Sequence, residues 1–387
     1  MDAGAWATPV GLGAHTSFFL YPMPPARALA GLLLLSAATT FVRGGSEWES
    51  KYGKSSGCGA QPPYNPSDPN DSLYVDVEID GIQRGYLLHI PTTYDPNRPT
   101  PLVFSFHGWS CSSQSNREWM GFTSNMQAEN YVVVYPDGKR DCLGQSNCWS
   151  SWNAGGASFN GDSGPGPNGG WTCAQSTGNC QACADSCQPL GVCNSDNFRS
   201  CNWATCVDDV SFVDQILDKL EGQLCVDRAR IFASGESMGG IMAWQLATSL
   251  PHRFAAVAPT VGAPHEGWTE TPSSNEQISV LNLHARSDCV VPPGGGQSCD
   301  GWFFDSVNTL MTLWGDYNSC SGVPPPSKTF PTLPLSTRRL SPCYASHLAT
   351  LSLSHRRESV VAKSRRIRTR QRQYGVHTGA HPPDTGH

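Results

Sequence analysis

Gly235-Glu236-Ser237-Met238-Gly239 has the form G-x-S-x-G, which at a strand-to-helix junction lifts a serine hydroxyl clear of the backbone as a nucleophile. The pattern alone is weak in a chain holding 39 glycines, so its neighbours must decide. Arg230-Ile231-Phe232-Ala233 before it is apolar and β-prone, and 238–250 after it suits a helix. Strand, sharp turn and helix follow in order, which makes Ser237 a nucleophile candidate rather than a helix cap.

A serine nucleophile needs a base, a group to orient that base, and donors for the oxyanion. Asp288 follows the β-prone run 278–284 and comes after Ser237, where this chemistry keeps its acid; Asp300 and Asp305 are the rivals. The base must come later still, from His347, His355, His377, His381 or His387. Gly379-Ala380-His381-Pro382-Pro383 frames one imidazole in small residues and prolines, a rigid loop that favours His381 over His377. The expected oxyanion donors are the backbone N–H groups of Met238 and Trp109, with Gly108 as alternate. His107 itself reads as a packed loop imidazole.

The elements that would position these groups alternate along the chain. The stretches 73–79 and 83–90 flank Asp80-Gly81 as a hairpin, 101–106 is a short buried strand running into His107-Gly108-Trp109, and 131–135 is a β-branched strand after a helix ending near 130. A helical stripe at 210, 213, 216, 217 and 220 leads into the elbow strand; 253–258 and 278–284 give two more strands, and 301–318 a helix. Strands alternating with helices make a parallel sheet with crossovers, an α/β-hydrolase fold.

The segment 142–206 interrupts that rhythm with nine cysteines and four tryptophans among Gly, Asn and Ser. It is too poor in aliphatic residues to build a core, so disulfides must hold it. Cys180-Gln181-Ala182-Cys183 is half of a zinc knuckle without a second half, and no metal is expected. The insertion precedes the elbow helix and is placed to form a substrate rim. Trp149, Trp152, Trp171 and Trp203 are possible stacking surfaces there, although each one singly is better read as packing.

Residues 1–45 hold a basic flank at Arg27, an apolar core around 32–35 and small residues at 36–38, a signal peptide with its leader, too short for a stable membrane anchor. All 16 cysteines follow it, as does the sequon Asn70-Asp71-Ser72, which together predict a secreted protein. The formal net charge is −6, but residues 323–387 carry 11 Lys/Arg against two acidic residues; removing that tail leaves −15. So acidic a body excludes nucleic acid as a partner. The esterase domain is expected over 46–322, followed by a basic low-complexity stretch, 323–372, without sustained period. That stretch reads as mis-translated or unspliced sequence, leaving a C-terminal remnant at 373–387.

As a set the motifs resemble the secreted esterases that group feruloyl esterases of carbohydrate esterase family one with polyhydroxybutyrate-depolymerase-like enzymes. The matching residues are Gly57-Cys58-Gly59, Arg84-Gly85-Tyr86 before Ile90-Pro91, Phe106-His107-Gly108, Tyr135-Pro136-Asp137-Gly138 and Ser151-Trp152-Asn153. They continue with Val207-Asp208-Asp209-Val210, Phe212-Val213, Gly235-Glu236-Ser237-Met238-Gly239-Gly240, Asp288-Cys289-Val290-Val291-Pro292 and Gly379-Ala380-His381. The resemblance implies Ser237 as nucleophile, Asp288 as acid and His381 as base, in a cofactor-free esterase acting on feruloyl or acetyl esters of a polysaccharide or other polymer. A polyhydroxybutyrate depolymerase is the alternative substrate reading, and a non-catalytic, disulfide-rich binding protein the alternative class. The insertion and the 323–372 stretch are the two departures from the family pattern.

Overall fold

Leu102, Phe104 and Phe106 alternate with Val103, and Ile231 and Ala233 with Phe232; each set is buried, in separate hydrophobic clusters. A strand apolar on both faces must be covered on both. The computed structural model describes residues 53–142, 148–155, 184–190, 204–268, 271–299, 301–320 and 349–351. Its main sheet is built from β1 (Leu73–Ile79), β2 (Ile82–His89), β3 (Thr100–Phe106), β4 (Val132–Pro136), β7 (Val226–Glu236), β8 (Ala256–Thr260), β9 (Ser279–Val280), β10 (Leu283–Ala285) and β13 (Ala349–Leu351). β5 (Lys139–Cys142) pairs with β6 (Cys148–Ser151), and β11 (Gly296–Gln297) with β12 (Phe303–Phe304), as separate ribbons.

The sheet order is β1-β2-β4-β3-β7-β8-β10-β13, with β9 on β8; β1 and β2 run antiparallel and the strands from β4 onward are parallel. This is the expected α/β-hydrolase fold. α1 (Ser113–Met120) and α2 (Phe122–Glu129) bury Met120, Phe122 and Met126 in the cluster holding Val103 and Phe232. α3 (Asp209–Gln223), α4 (Met238–Ser249) and α5 (Val307–Tyr317) contribute Phe212, Leu217, Ile241, Trp244 and Trp314 to the other.

Three element boundaries differ from the sequence reading. The run 278–284 divides into β9 and β10, which pair at separate points along β8. α5 starts at Val307, where Ser306 caps Thr309 N–H, because 303–304 is spent on β12. Residues 349–351, within the stretch read as lacking sustained period, add β13 parallel to β10. Pro101 fits inside the central strand β3 because the β3–β7 register shifts between Thr100 and Leu102, where a missing N–H costs no ladder bond.

Among the described residues four disulfides close: Cys58–Cys225, Cys142–Cys148, Cys187–Cys206 and Cys289–Cys299. The first ties the segment before β1 to the β7 start across 167 residues. No helix among the described residues is long and apolar enough to cross a membrane.

Candidate active site

β3, β7, β8 and β10 are parallel, so the loops after their carboxyl ends share one sheet edge. Ser237 follows β7 with φ 57° and ψ −119°, a conformation costing an L residue on the order of 1–3 kcal/mol. Close approach of glycine backbone makes it possible: a Cβ on Gly235 would overlap the Gly239 carbonyl, and one on Gly239 the Phe106 carbonyl. Ser237 N–H donates to Thr260 O at 3.0 Å, and Ser237 O accepts from Ile241 N–H at 2.9 Å. The residue is half-buried. Beside it Val261, β-branched, also takes a positive φ of 44°, its N–H donating to Leu283 O at 2.7 Å. The turns after β7 and β8 are therefore strained together, which no sequence pattern signalled.

Met238 opens α4, and the first N–H groups of a helix lack intrahelical partners and carry its positive dipole end. The facing donor loop packs closely: a Cβ on Gly108 would lie 3.4 Å from Ser237 Cβ and 3.3 Å from Glu236 O. Gly108 to Cys111 forms a turn, with Cys111 N–H donating to Gly108 O at 3.2 Å and Ser110 at φ 62°. Trp109 holds the second turn position, whose N–H takes no part in the turn's own hydrogen bond.

His107 braces this loop as a packed, neutral ring. Its Nδ1–H donates to Gly108 O at 2.7 Å and its Nε2 accepts from Gly138 N–H at 2.8 Å, which fixes the neutral tautomer. Burial pushes its pKa down to about 4. Trp152, which the sequence offered as a possible stacking surface, is instead fully buried; its indole N–H donates to His107 O at 2.8 Å and its ring packs on His107 and Phe106. Trp149 is half-buried against Trp109, with ring centroids 5.1 Å apart, and Ser110 N–H donates to Ser150 O at 2.8 Å. The β5–β6 hairpin, closed by Cys142–Cys148, thus packs against the loop that follows β3. Trp171 and Trp203 lie outside the described residues.

Several motif residues meet behind that wall in one buried network. Arg84 pairs with Asp209 at 2.6 Å, lies over the Phe212 ring at 3.8 Å and donates to Asp137 O at 3.1 Å. Asp209 also accepts from Asn153 N–H at 2.6 Å, while Asp137 accepts from Ser113 N–H at 2.6 Å and from the Tyr74 hydroxyl at 2.9 Å. Burial pushes the Asp209 carboxyl up, and Arg84 and the Asn153 N–H pull it back. The network joins hairpin, insertion and α3 to the strand that presents Gly138 to His107.

Asp288 lies just past β10, two strands from the β7 end that carries Ser237, or about 10 Å of sheet width. One carboxylate oxygen accepts from Val290 N–H and Val291 N–H, both at 2.9 Å; the other stands 4.0 Å from His284 Nε2. His284 donates to Val291 O at 2.7 Å, and burial lowers its pKa, so it braces the loop as a neutral ring. Cys289–Cys299 clamps the loop directly after Asp288. Asp305 lies on the β12 side with its N–H on Pro264 O at 3.0 Å; burial raises its carboxyl to about 6. Asp300 and His347, His355, His377, His381 and His387 lie outside the described residues. His284 went unread in this role because it closes the β-prone run 278–284, which signals packing alone, and the sequence pointed to packing for Trp152 without naming His107 as its partner.

Strand order, elbow and donor loop define an α/β hydrolase. No family model matches the chain. It is 28% identical over 276 residues to feruloyl esterase C of Emericella nidulans, covering 69% of this chain and 74% of that one. It is 27% identical over 297 residues to a probable feruloyl esterase C of Aspergillus terreus, covering 75% and 83%. Among solved structures, an acetyl xylan esterase from Aspergillus awamori overlaps at a TM-score of 0.43 and 11% identity, covering 67% of this chain and 85% of that one, too loosely to weigh. The curated relatives bear out the resemblance read from the motifs: the chain is a carboxylic ester hydrolase related to the feruloyl esterases.

Proposed function

We propose that this chain is a secreted serine esterase that releases feruloyl groups, or acetyl groups, from a polysaccharide. Ser237 attacks the ester carbonyl, His381 takes its proton and returns it to the leaving alcohol, and Asp288 holds the imidazole in the required tautomer. The N–H groups of Met238 and Trp109 receive the oxyanion, and water then frees the acyl group. The observation that carries this reading is the half-exposed Ser237 at φ 57°, packed against Gly108 and heading α4. The disulfides support an oxidising compartment. Secreted protein should release ferulate from methyl ferulate and from feruloylated arabinoxylan but no soluble oligomer from polyhydroxybutyrate; the reverse pattern would move the assignment to the depolymerase reading.

One observation favours a second reading of the base. β13 runs parallel to β10 and ends at Leu351, on the sheet edge that carries Asp288, and His355 follows four residues later in the chain. His381→Ala should abolish turnover while His355→Ala leaves it within about two-fold; the opposite result would assign the proton transfer to His355.

A further inference from the structure

A cleft of about 330 Å³ opens beside the oxyanion loop, lined by Ser110, Cys111, Ser112, Ser115, Trp119, Arg140, Cys148, Trp149 and Ser150. α1 supplies one wall: Ser115 and Trp119 stand one helical turn apart on the same face, and Trp119 is 39% exposed. The β5–β6 hairpin supplies the other, where Arg140 and Ser150 are cross-strand partners. Ser110 and Cys111 close the inner end, one residue beyond Trp109.

Two features of this cleft bear on a ligand. It is rich in hydroxyls and carries an exposed indole, the combination that suits a sugar ring, whose C–H face packs on an aromatic surface while its hydroxyls find hydrogen-bond partners. Arg140 is exposed at the cleft wall, and no carboxylate among the described residues pairs with it. An unpaired guanidinium in a body of strongly negative charge repels nothing anionic at its own mouth and offers a two-pronged donor to a carboxylate.

We propose that this cleft is a carbohydrate subsite that takes a uronic acid unit of the polymer chain whose ester lies at Ser237, with Arg140 meeting its carboxylate and Trp119 its ring. The subsite rests on the proposed polysaccharide esterase function and narrows it to acidic chains. Because the cleft adjoins the oxyanion loop, the unit bound there lies within a few sugars of the ester being cleaved.

The test pairs two feruloylated oligosaccharides of equal length, one neutral and one bearing a glucuronic acid branch. The KM for the charged substrate should be roughly 3- to 10-fold lower than for the neutral one, and 0.5 M NaCl should shrink that ratio. Arg140→Gln should bring the ratio to about one, Arg140→Lys should keep part of it, and Trp119→Ala should raise both KM values. A ratio near one in the unsubstituted protein, or a ratio that Arg140→Gln leaves intact, overturns the subsite. Calorimetric titration of Ser237→Ala protein with the two unesterified oligosaccharides, set beside turnover by the unsubstituted protein, separates the readings: preference for the charged oligosaccharide while the unsubstituted protein turns over no ferulate ester upholds the subsite and sinks the esterase assignment, whereas turnover by the unsubstituted protein without preference does the opposite.

Discussion

The two halves of the active edge are built in different ways. The half that carries Ser237, the proposed nucleophile, sits at the sheet centre, where β3 and β7 pair in register from Leu102 and Ile231 to Phe106 and Gly235, and glycine backbones touch. The half that carries Asp288, the proposed acid, follows the three-residue strand β10 and depends on three short hydrogen bonds and the Cys289–Cys299 clamp. The centre is fixed by sterics with no room for change; the flank is fixed by polar contacts and a cross-link that can be removed one at a time. A lesion at the centre should therefore cost the fold, and a lesion at the flank should cost only rate.

Gly235→Ala is the severest break of that contrast. The added methyl meets backbone that cannot yield, so a penalty of about 4 kcal/mol or more should remove most folded protein, seen as loss of the cooperative thermal transition. Asp288→Asn should fold normally and lower kcat by about 10³- to 10⁴-fold, as expected when the base loses its orienting carboxylate; an equal loss of stability would erase the distinction between the halves. Trp152→Phe keeps the packed ring but removes the donor to His107 O. It should lower kcat several-fold with little change in KM for methyl ferulate, since the loop it holds acts on the transition state.

A separate effect is a pH dependence of stability from two buried histidines. His107 and His265 are buried neutral with pKa values depressed to about 4, against an unfolded value near 6.5. Below about 6.5 the unfolded chain binds protons that the native state refuses, so stability falls as the pH drops toward 4 and is fully present above about 7. Denaturant midpoints at pH 7 and 5 should differ in that sense, and His107→Gln should flatten part of the slope.

The same contrast explains what the sequence disclosed. The centre was legible because its chemistry is local: a β-prone run, glycines at fixed offsets and a helix state the elbow within fifteen residues. The parallel sheet with crossovers was legible too, since strands and helices alternate; the strand order was not, because spacing says nothing of which strands lie side by side. His107 as a packed loop imidazole and Trp152 as packing were read correctly, but their partners and the role of His284 were not, because they lie 31 residues apart for His107 and Gly138, 45 for Trp152 and His107, and in a turn for His284 and Val291 that only the folded loop defines. The strain at Val261 was equally silent, as nothing in a β-branched residue announces positive φ. Arg84 and Asp209 lie 125 residues apart, and no spacing rule could have joined them.

Everything turns on whether the Ser237 hydroxyl is reactive. Treating the secreted protein with a fluorophosphonate and mapping the modified peptide by mass spectrometry reads this directly. The account predicts one phosphonate per chain, on Ser237, with labelling and methyl ferulate hydrolysis lost together in parallel; a folded protein that takes no label, or takes it on another residue while hydrolysis stops, would contradict it.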